Sequence, residues 1–163
     1  LYTAQSAAQG PMAIRYPRGY SENPEWEQPF KRIPIGKARQ LQSGSRIAIL
    51  SFGTLGQHVA RAIPGTDTPE AFGHFDFRFA KPLDTDLLDE LCDSYEQLVT
   101  VEDGCLAGGF GSAVVEYLSS RKRSIPVTCL GIEDAFISHG TPEELYREQG
   151  LDTDGLLRTF NRL

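Results

Sequence analysis

The feature that most limits the possible folds is a short apolar run at residues 46–52, Arg-Ile-Ala-Ile-Leu-Ser-Phe. A continuous run of this length suits a strand that is buried on both faces, as in a parallel sheet. Such a strand needs helices above and below it, so the run predicts an α/β fold.

Strand and helix patterns alternate along the rest of the chain. Further strands are predicted at residues 35–41, 75–79, 98–101 and 126–132. Helices are predicted at residues 55–63, 84–95, 111–120 and 141–149, with a short last helix from about Thr153. The alternation predicts a three-layer α/β/α architecture around a mostly parallel sheet of about five strands.

Helix-capping residues indicate where two of these helices begin. Asp84 is placed as an N-cap, and Thr141 with Glu144 three residues later forms a capping-box pattern. Gly150 is placed to end the second of these helices.

Composition excludes several classes of partner. The 163-residue chain carries 16 Lys and Arg against 22 Asp and Glu, a net charge of −6, which argues against nucleic acid or an anionic membrane as the main partner. No apolar stretch is long enough for a transmembrane helix. Cys92, Cys105 and Cys129 lack CxxC spacing, and they indicate reduced, semi-buried thiols rather than a disulfide framework or a zinc site.

The amino-terminal part differs from the rest. Residues 1–19 contain a short predicted strand that ends at Pro17, and residues 20–34 hold three prolines without a sustained period, which is typical of a linker. Residues 35–163 form the main predicted domain. The chain also begins with Leu1 inside structured sequence rather than with Met, so we expect a fragment of a longer protein.

A glycine cluster spans Glu102–Ser112, directly after a predicted strand and before a predicted helix. Helix-start amides at such a place can hold a phosphate. The cluster matches neither GxGxxG nor GxxxxGKS, however, and its two leading acids would repel an anion. A tight turn with close backbone packing is the favoured interpretation.

The three histidines are not spaced in the sequence as metal ligands usually are. His58 falls in a predicted helix, while His74 and His139 fall in predicted loops. His139 could pair with Glu133 or Asp134 in acid–base work, but a loop histidine satisfied by backbone groups is favoured.

Two arginines are the strongest candidates for a substrate contact. Arg15 and Arg18 flank Tyr-Pro at the predicted end of a strand, where guanidinium groups suit a phosphate or carboxylate. Side chains three residues apart in a strand point to opposite faces, so one of the pair would face a site. An anion-binding role and a surface ion pair both remain open from the residues alone.

A set of motifs in fixed order carries a resemblance to a known family. They are Tyr16-Pro17-Arg18-Gly19, Arg78-Phe79-Ala80-Lys81-Pro82-Leu83-Asp84, Val101-Glu102-Asp103-Gly104, Gly108-Gly109-Phe110-Gly111-Ser112 and His139-Gly140-Thr141. With these motifs the chain closely resembles the C-terminal end of the 1-deoxy-D-xylulose-5-phosphate synthase family, thiamine-diphosphate enzymes of the transketolase superfamily. The resemblance covers nearly the whole chain.

The resemblance implies a function for a longer protein. That protein would condense pyruvate with glyceraldehyde 3-phosphate, release carbon dioxide and use thiamine diphosphate and Mg²⁺, for isoprenoid, thiamine and pyridoxal synthesis in a bacterial cytoplasm. The cofactor and metal would be held by regions outside this chain, so we expect no catalytic, cofactor-binding or metal residue here and an inactive fragment.

The resemblance also implies roles for parts of this chain. Residues 1–19 would be the tail of the middle domain, and Arg18 would grip the phosphate of glyceraldehyde 3-phosphate, with Arg15 as a weaker candidate. Residues 35–163 would resemble the transketolase C-terminal domain and contribute to a homodimer, with the Glu102–Ser112 loop as a candidate subunit contact.

Two alternatives remain beside this interpretation. The first is the C-terminal domain of another transketolase-like enzyme, such as a 2-oxo acid dehydrogenase β subunit. The second is a stand-alone assembly module that dimerises without catalysis.

Overall fold

The computed structural model describes residues 1–7, 10–16 and 27–163. Contacts divide the chain into two compact units, Leu1–Ile35 and Gly36–Leu163. The second unit is described throughout.

The first unit contains one short helix, α1 (Tyr2–Ala7), within its described residues. The Thr3 hydroxyl accepts a hydrogen bond from the Ile33 amide at 2.9 Å, and the Tyr2 ring stacks on Phe30 with centroids 5.7 Å apart. Residues 10–16 form no strand, so the predicted strand is wrong over that range. A single strand needs a neighbouring strand for its amides and carbonyls, and the described part of this unit contains none. Pro17, its predicted end, lies outside the described residues.

The second unit is built on a five-stranded sheet in the order β1-β3-β2-β4-β5. The strands are β1 (Arg39–Gln42), β2 (Ile47–Phe52), β3 (Phe72–Asp76), β4 (Gln97–Cys105) and β5 (Val127–Ile132). β1 pairs antiparallel with β3, and every other pair is parallel. The predicted, mostly parallel sheet is therefore confirmed.

Five helices belong to this unit: α2 (Gly56–Ala62), α3 (Thr85–Ser94), α4 (Phe110–Ser120), α5 (Pro142–Glu148) and α6 (Thr153–Phe160). Short 3-10 turns lie at Gly53–Leu55, Ile63–Gly65 and Pro69–Ala71.

The sheet separates two apolar layers. One layer packs residues of α2 and α6 against one face, and the other packs residues of α3 and α4 against the opposite face. β2 contributes to both, since Ile47 and Ile49 point into the first layer and Ala48 and Leu50 into the second. All four are at most 2% exposed, which confirms a strand buried on both faces and the three-layer prediction.

The third strand begins earlier than predicted. The strict alternation of residues 75–79 predicts a strand there, but β3 runs from Phe72 to Asp76. β2 pairs with the chain from Phe72 onward, so burial on both faces outweighs the weak strand propensity of Gly73 and His74. The first strand is shifted too, since β1 begins at Arg39 rather than Ile35.

Both predicted caps are present. The Thr141 hydroxyl and the Glu144 carboxylate exchange capping-box hydrogen bonds at the start of α5. Asp84 caps α3 and also accepts hydrogen bonds from the Ala38 amide at 2.9 Å and the Lys37 ammonium at 3.0 Å. Burial raises the pKa of Asp84, but these hydrogen bonds outweigh burial, so the pKa is lowered overall.

No helix in the described ranges combines the length and the apolar character that a membrane crossing requires.

Candidate functional site

The second unit has a crevice where the winding of its sheet reverses, between β2 and β4. The connection from β2 to β3 packs α2 on one face, whereas α3 and α4 pack on the other. The segments that follow β2 and β4 therefore diverge at this point. In open α/β sheets this crevice is the usual place for a ligand, so it is the candidate functional site.

The carboxylate of Glu102 fills the anion-binding position of this crevice. Its two oxygens accept hydrogen bonds from the Phe110 amide at 2.9 Å and the Gly111 amide at 2.8 Å. Gly109, the N-cap of α4, has no side chain to do this. Glu102 is only 3% exposed, and it places its negative charge against the positive end of the helix. An incoming phosphate would have to displace it.

The turn between β4 and α4 is tight, as the glycine cluster predicts. Gly108 has a φ of +72°, a left-handed conformation that favours glycine. A Cβ at Gly109 would overlap the Cys105 carbonyl and the Glu102 carboxylate. The glycines therefore allow the helix start to approach Glu102 closely.

Aromatic rings close the crevice on one side. The Phe110 ring lies 5.2 Å from the Phe52 ring and 5.3 Å from the Phe77 ring, centroid to centroid. Phe77 and Phe110 are 1% and 3% exposed. This side of the crevice is therefore packed core.

The loop after β4 is also tied to the last helices. Asp103 accepts a hydrogen bond from the Tyr146 hydroxyl at 2.9 Å. His58 lies edge-on to Tyr146 at 5.5 Å, and its Nδ1 is 3.2 Å from the Thr153 hydroxyl. The polar groups at this end of the sheet thus bind one another.

His74 lies in β3 and not in a loop, so its predicted location is wrong. Its Nε2 is 2.8 Å from the Ser51 hydroxyl, and both residues are 1% exposed. Burial, with a smaller effect of the Arg39 charge, lowers the pKa of His74 to about 4. The pair resembles a nucleophile and its base, but no substrate reaches a side chain buried this deeply. We assign Ser51 and His74 a structural role.

His139 lies on an exposed loop after β5. Within the described ranges it forms no hydrogen bond with Glu133 or Asp134, nor with a backbone group. In the same ranges, no three His, Cys, Asp or Glu side chains are grouped as metal ligands.

One of the two candidate arginines lies within the described residues. Arg15 is exposed, within the irregular residues 10–16 of the first unit. Arg18 lies outside the described residues. The assignment of a phosphate contact to either arginine stays a prediction.

The three cysteines are free thiols. Cys92 and Cys129 are half-buried, as predicted, whereas Cys105 is exposed because it lies where β4 ends. Burial raises the pKa of the Cys92 thiol.

An open pocket of about 480 Å³ lies beside β5, against α6. Its charged residues are Glu133, Glu148, Arg158 and Arg162. Two acids and two bases line it, so the pocket favours no single charge of ligand.

The role of Glu102 was missed from the sequence, although a signal was present. An acidic residue stands at the end of a buried strand, and the helix that follows begins with glycines that cannot cap it. A helix without its own cap needs an acceptor from elsewhere, and Glu102 is one of two neighbouring acids on the preceding strand.

Comparison with known proteins places the chain in a family. The sequence model of the family "Transketolase, C-terminal domain" matches residues 36–156. The chain belongs to this transketolase C-terminal domain family.

Curated relatives narrow the family further. The chain is 39% identical to a 1-deoxy-D-xylulose-5-phosphate synthase of Bacteroides fragilis over 99% of its own length and 25% of the relative's. It is 42% identical to the same enzyme of Cytophaga hutchinsonii, over 100% of the chain and 26% of the relative. The chain therefore spans about a quarter of the length of the curated relatives it matches.

Solved structures agree with the fold. A structure titled "Split gene transketolase, inactive beta4 tetramer" is similar to this chain, with 28% sequence identity and a TM-score of 0.72. The match covers 90% of this chain and 46% of the other chain. A transketolase from Campylobacter jejuni matches 78% of the chain and 19% of its own, at 13% identity and a TM-score of 0.56, which shows the fold alone.

The Glu102 carboxylate gives a first prediction. Replacing Glu102 with Ala leaves the Phe110 and Gly111 amides without an acceptor, so we expect a loss of about 2–4 kcal/mol in the free energy of unfolding. The measurement is urea denaturation at neutral pH. Added phosphate should restore part of the loss, because it can enter the emptied position.

Glu102→Gln is the matched control. The amide oxygen of the glutamine keeps one acceptor, so the decrease in the free energy of unfolding should be smaller than for Glu102→Ala. Equal stability of Glu102→Ala and the parent chain would contradict the assigned role.

Buried His74 gives a second prediction. Its pKa is about 4 in the folded chain against 6.5 when unfolded, so the unfolded state binds more protons between these values. The contribution of His74 to the free energy of unfolding is therefore full above pH 6.5. It falls by about 1.4 kcal/mol per pH unit as the pH decreases from 6.5 towards 4. His74→Gln should remove this slope in urea denaturation.

Ser51→Ala should keep the slope, because burial rather than the hydroxyl is the main cause of the shift. A parent chain and a His74→Gln variant with the same pH slope would show that His74 is not held neutral.

Proposed function

We propose that this chain is the C-terminal part of a thiamine-diphosphate-dependent 1-deoxy-D-xylulose-5-phosphate synthase. The observation that carries this proposal is the 39–42% identity to two such synthases across essentially the whole chain. The whole protein would condense pyruvate with glyceraldehyde 3-phosphate to 1-deoxy-D-xylulose 5-phosphate and carbon dioxide. Its product would serve isoprenoid and thiamine synthesis in a bacterial cytoplasm.

Within that enzyme, the second unit serves structure and assembly rather than chemistry. Its ligand crevice is occupied by the Glu102 carboxylate and by the Phe110 ring. Its Ser51–His74 pair is buried. We propose that the domain contributes to a homodimer, with the loop of the Glu102–Ser112 segment as a candidate subunit contact.

Thiamine diphosphate and Mg²⁺ do not fit the residues of the second unit. The helix start that would suit a diphosphate holds a buried carboxylate of like charge. Carboxylate ligands for Mg²⁺ are not grouped in the described residues. We therefore propose that the cofactor and its metal bind elsewhere in the whole protein, and that this chain alone is inactive.

Substrate binding is proposed for the segment before the second unit. Residues 1–19 would be the tail of the middle domain, with residues 20–34 as a linker to the domain at residues 35–163. Arg18 in the Tyr16-Pro17-Arg18-Gly19 sequence would bind the phosphate of glyceraldehyde 3-phosphate, because a guanidinium suits bidentate contact with phosphate oxygens. Arg15 is the weaker candidate.

A stand-alone assembly module is the second candidate function. A specific observation favours it, since the structural relative at 28% identity is titled an inactive tetramer. A chain that assembles without catalysis would fit both that title and the filled crevice.

Steady-state kinetics of the full-length protein test the proposed function. Arg18→Ala should raise KM for glyceraldehyde 3-phosphate roughly 10–100-fold, the loss expected for one charge-assisted contact. KM for pyruvate should change little, because pyruvate carries no phosphate. Arg15→Ala is the matched control and should have the smaller effect.

Equal effects of Arg18→Ala on both KM values would contradict the phosphate role. A full-length protein without synthase activity would instead favour the assembly module.

A further inference from the structure

The outer edge of β5 has backbone groups with no strand beside them. The Pro126 and Ile132 carbonyls accept hydrogen bonds from the Leu98 and Leu106 amides, so the even-numbered residues face β4. Residues of a parallel strand alternate in the side to which their backbone groups point. The outward amides and carbonyls are those of Val127, Cys129 and Gly131. The second unit, described throughout, has no strand that pairs with them.

The two edges of the sheet differ in their protection. β1 is four residues long, contains Arg39 and is interrupted by an irregular register between Gln40 and Gln42. β5 is six residues long and contains no charged residue and no proline. Short length, charge and bulges are the features that keep an edge strand from pairing, so β5 is the unprotected edge.

We propose that the β5 edge binds the β5 edge of a second copy of this chain, antiparallel about a two-fold axis at Cys129. Val127 of one copy would then face Gly131 of the other, and the two sheets would continue into one. This surface rests on the homodimer of the proposed function and centres it on β5. The Glu102–Ser112 loop lies beside the end of this strand, since the Leu106 amide donates a hydrogen bond to the Ile132 carbonyl. Like edges paired by a two-fold axis close into a dimer, whereas β5 on β1 would be a head-to-tail contact that does not close at two copies.

Charge at the two ends of β5 selects the antiparallel direction. Arg121-Lys122-Arg123 precedes the strand and Glu133-Asp134 follows it. Arg121 and Arg123 form ion pairs with Asp89 and Asp93, so Lys122 is the basic side chain that a second copy would meet. An antiparallel pair brings the basic end of each copy to the acidic end of the other, twice per dimer. A parallel pair would bring like charges together. Lys122, Glu133 and Asp134 are exposed, so they are available for this contact.

The side chains around the axis allow the approach. Cys129 turns towards Gly111 of α4, where a Cβ on that glycine would lie 2.9 Å from its sulfur. The sulfur thus packs under α4. Phe136, fully exposed just beyond the acidic end, is apolar surface that a second copy would lie beside.

Amide hydrogen exchange of the 163-residue chain tests this surface. Protection of the Val127, Cys129 and Gly131 amides should increase at least tenfold as the protein concentration rises through the dimer dissociation constant found by sedimentation. The Thr128 and Leu130 amides face β4 and should be protected at every concentration.

Charge-reversal variants provide a second test of the β5 interface. Glu133→Lys with Asp134→Lys should raise the dissociation constant at least tenfold, and so should Lys122→Glu. An equimolar mixture of the two variants should restore dimers, since the introduced glutamate of one variant then meets the introduced lysines of the other. Arg121 and Arg123 do not oppose this, because Asp89 and Asp93 of the same copy already pair with them. Asp67→Lys with Glu70→Lys, an equal charge change at exposed positions near β3, is the control and should not alter dimerisation.

The possible results distinguish a wrong β5 interface from the absence of a homodimer. A dimer whose outward β5 amides stay unprotected, or whose dissociation constant ignores the charge changes, would overturn the β5 surface and leave the homodimer standing. A monomer at all concentrations would overturn both, without bearing on the synthase activity tested through Arg18.

Discussion

The contact on which the carboxyl end of this sheet depends is the buried carboxylate of Glu102 at the start of α4. A charge taken out of water is costly unless it is fully hydrogen-bonded, and here two helix amides satisfy it. The glycines of the turn exist to permit this approach, because a side chain at Gly109 would overlap the carboxylate. One interaction thus joins β4 to α4, shapes the loop and supplies the cap that the helix lacks.

The same contact occupies the place where an α/β domain of this kind usually binds a ligand. The crevice at the switch point of the sheet normally offers helix-start amides to a phosphate. In this chain those amides are already bound, and the Phe110 ring packs the adjoining space. A helix start filled in this way fits the proposed role of the domain in support and assembly.

Much of the second unit could be predicted from the sequence, because its signals are local. The apolar run of β2, the Asp84 cap and the Thr141–Glu144 capping box depend on neighbouring residues alone. The sequence motifs also indicated the family that the comparisons confirmed.

The errors arose where partners distant in sequence decide the structure. β3 begins at Phe72 because β2 pairs there, and His74 is tolerated in the core because Ser51 bonds it. The strand expected before Pro17 fails over residues 10–16, where the described residues of its unit supply no partner strand. Glu102 bonds amides eight and nine residues away, so spacing did not single it out among the acids.

The filled crevice is tested most directly by nuclear magnetic resonance of the ¹⁵N-labelled chain. Thiamine diphosphate with Mg²⁺, and separately inorganic phosphate, would be titrated while the Phe110 and Gly111 amide resonances are followed. Because Glu102 already binds these amides, neither resonance should move at millimolar ligand. Saturable shifts at both amides would contradict the account, since they would show that the helix start is open to an anion.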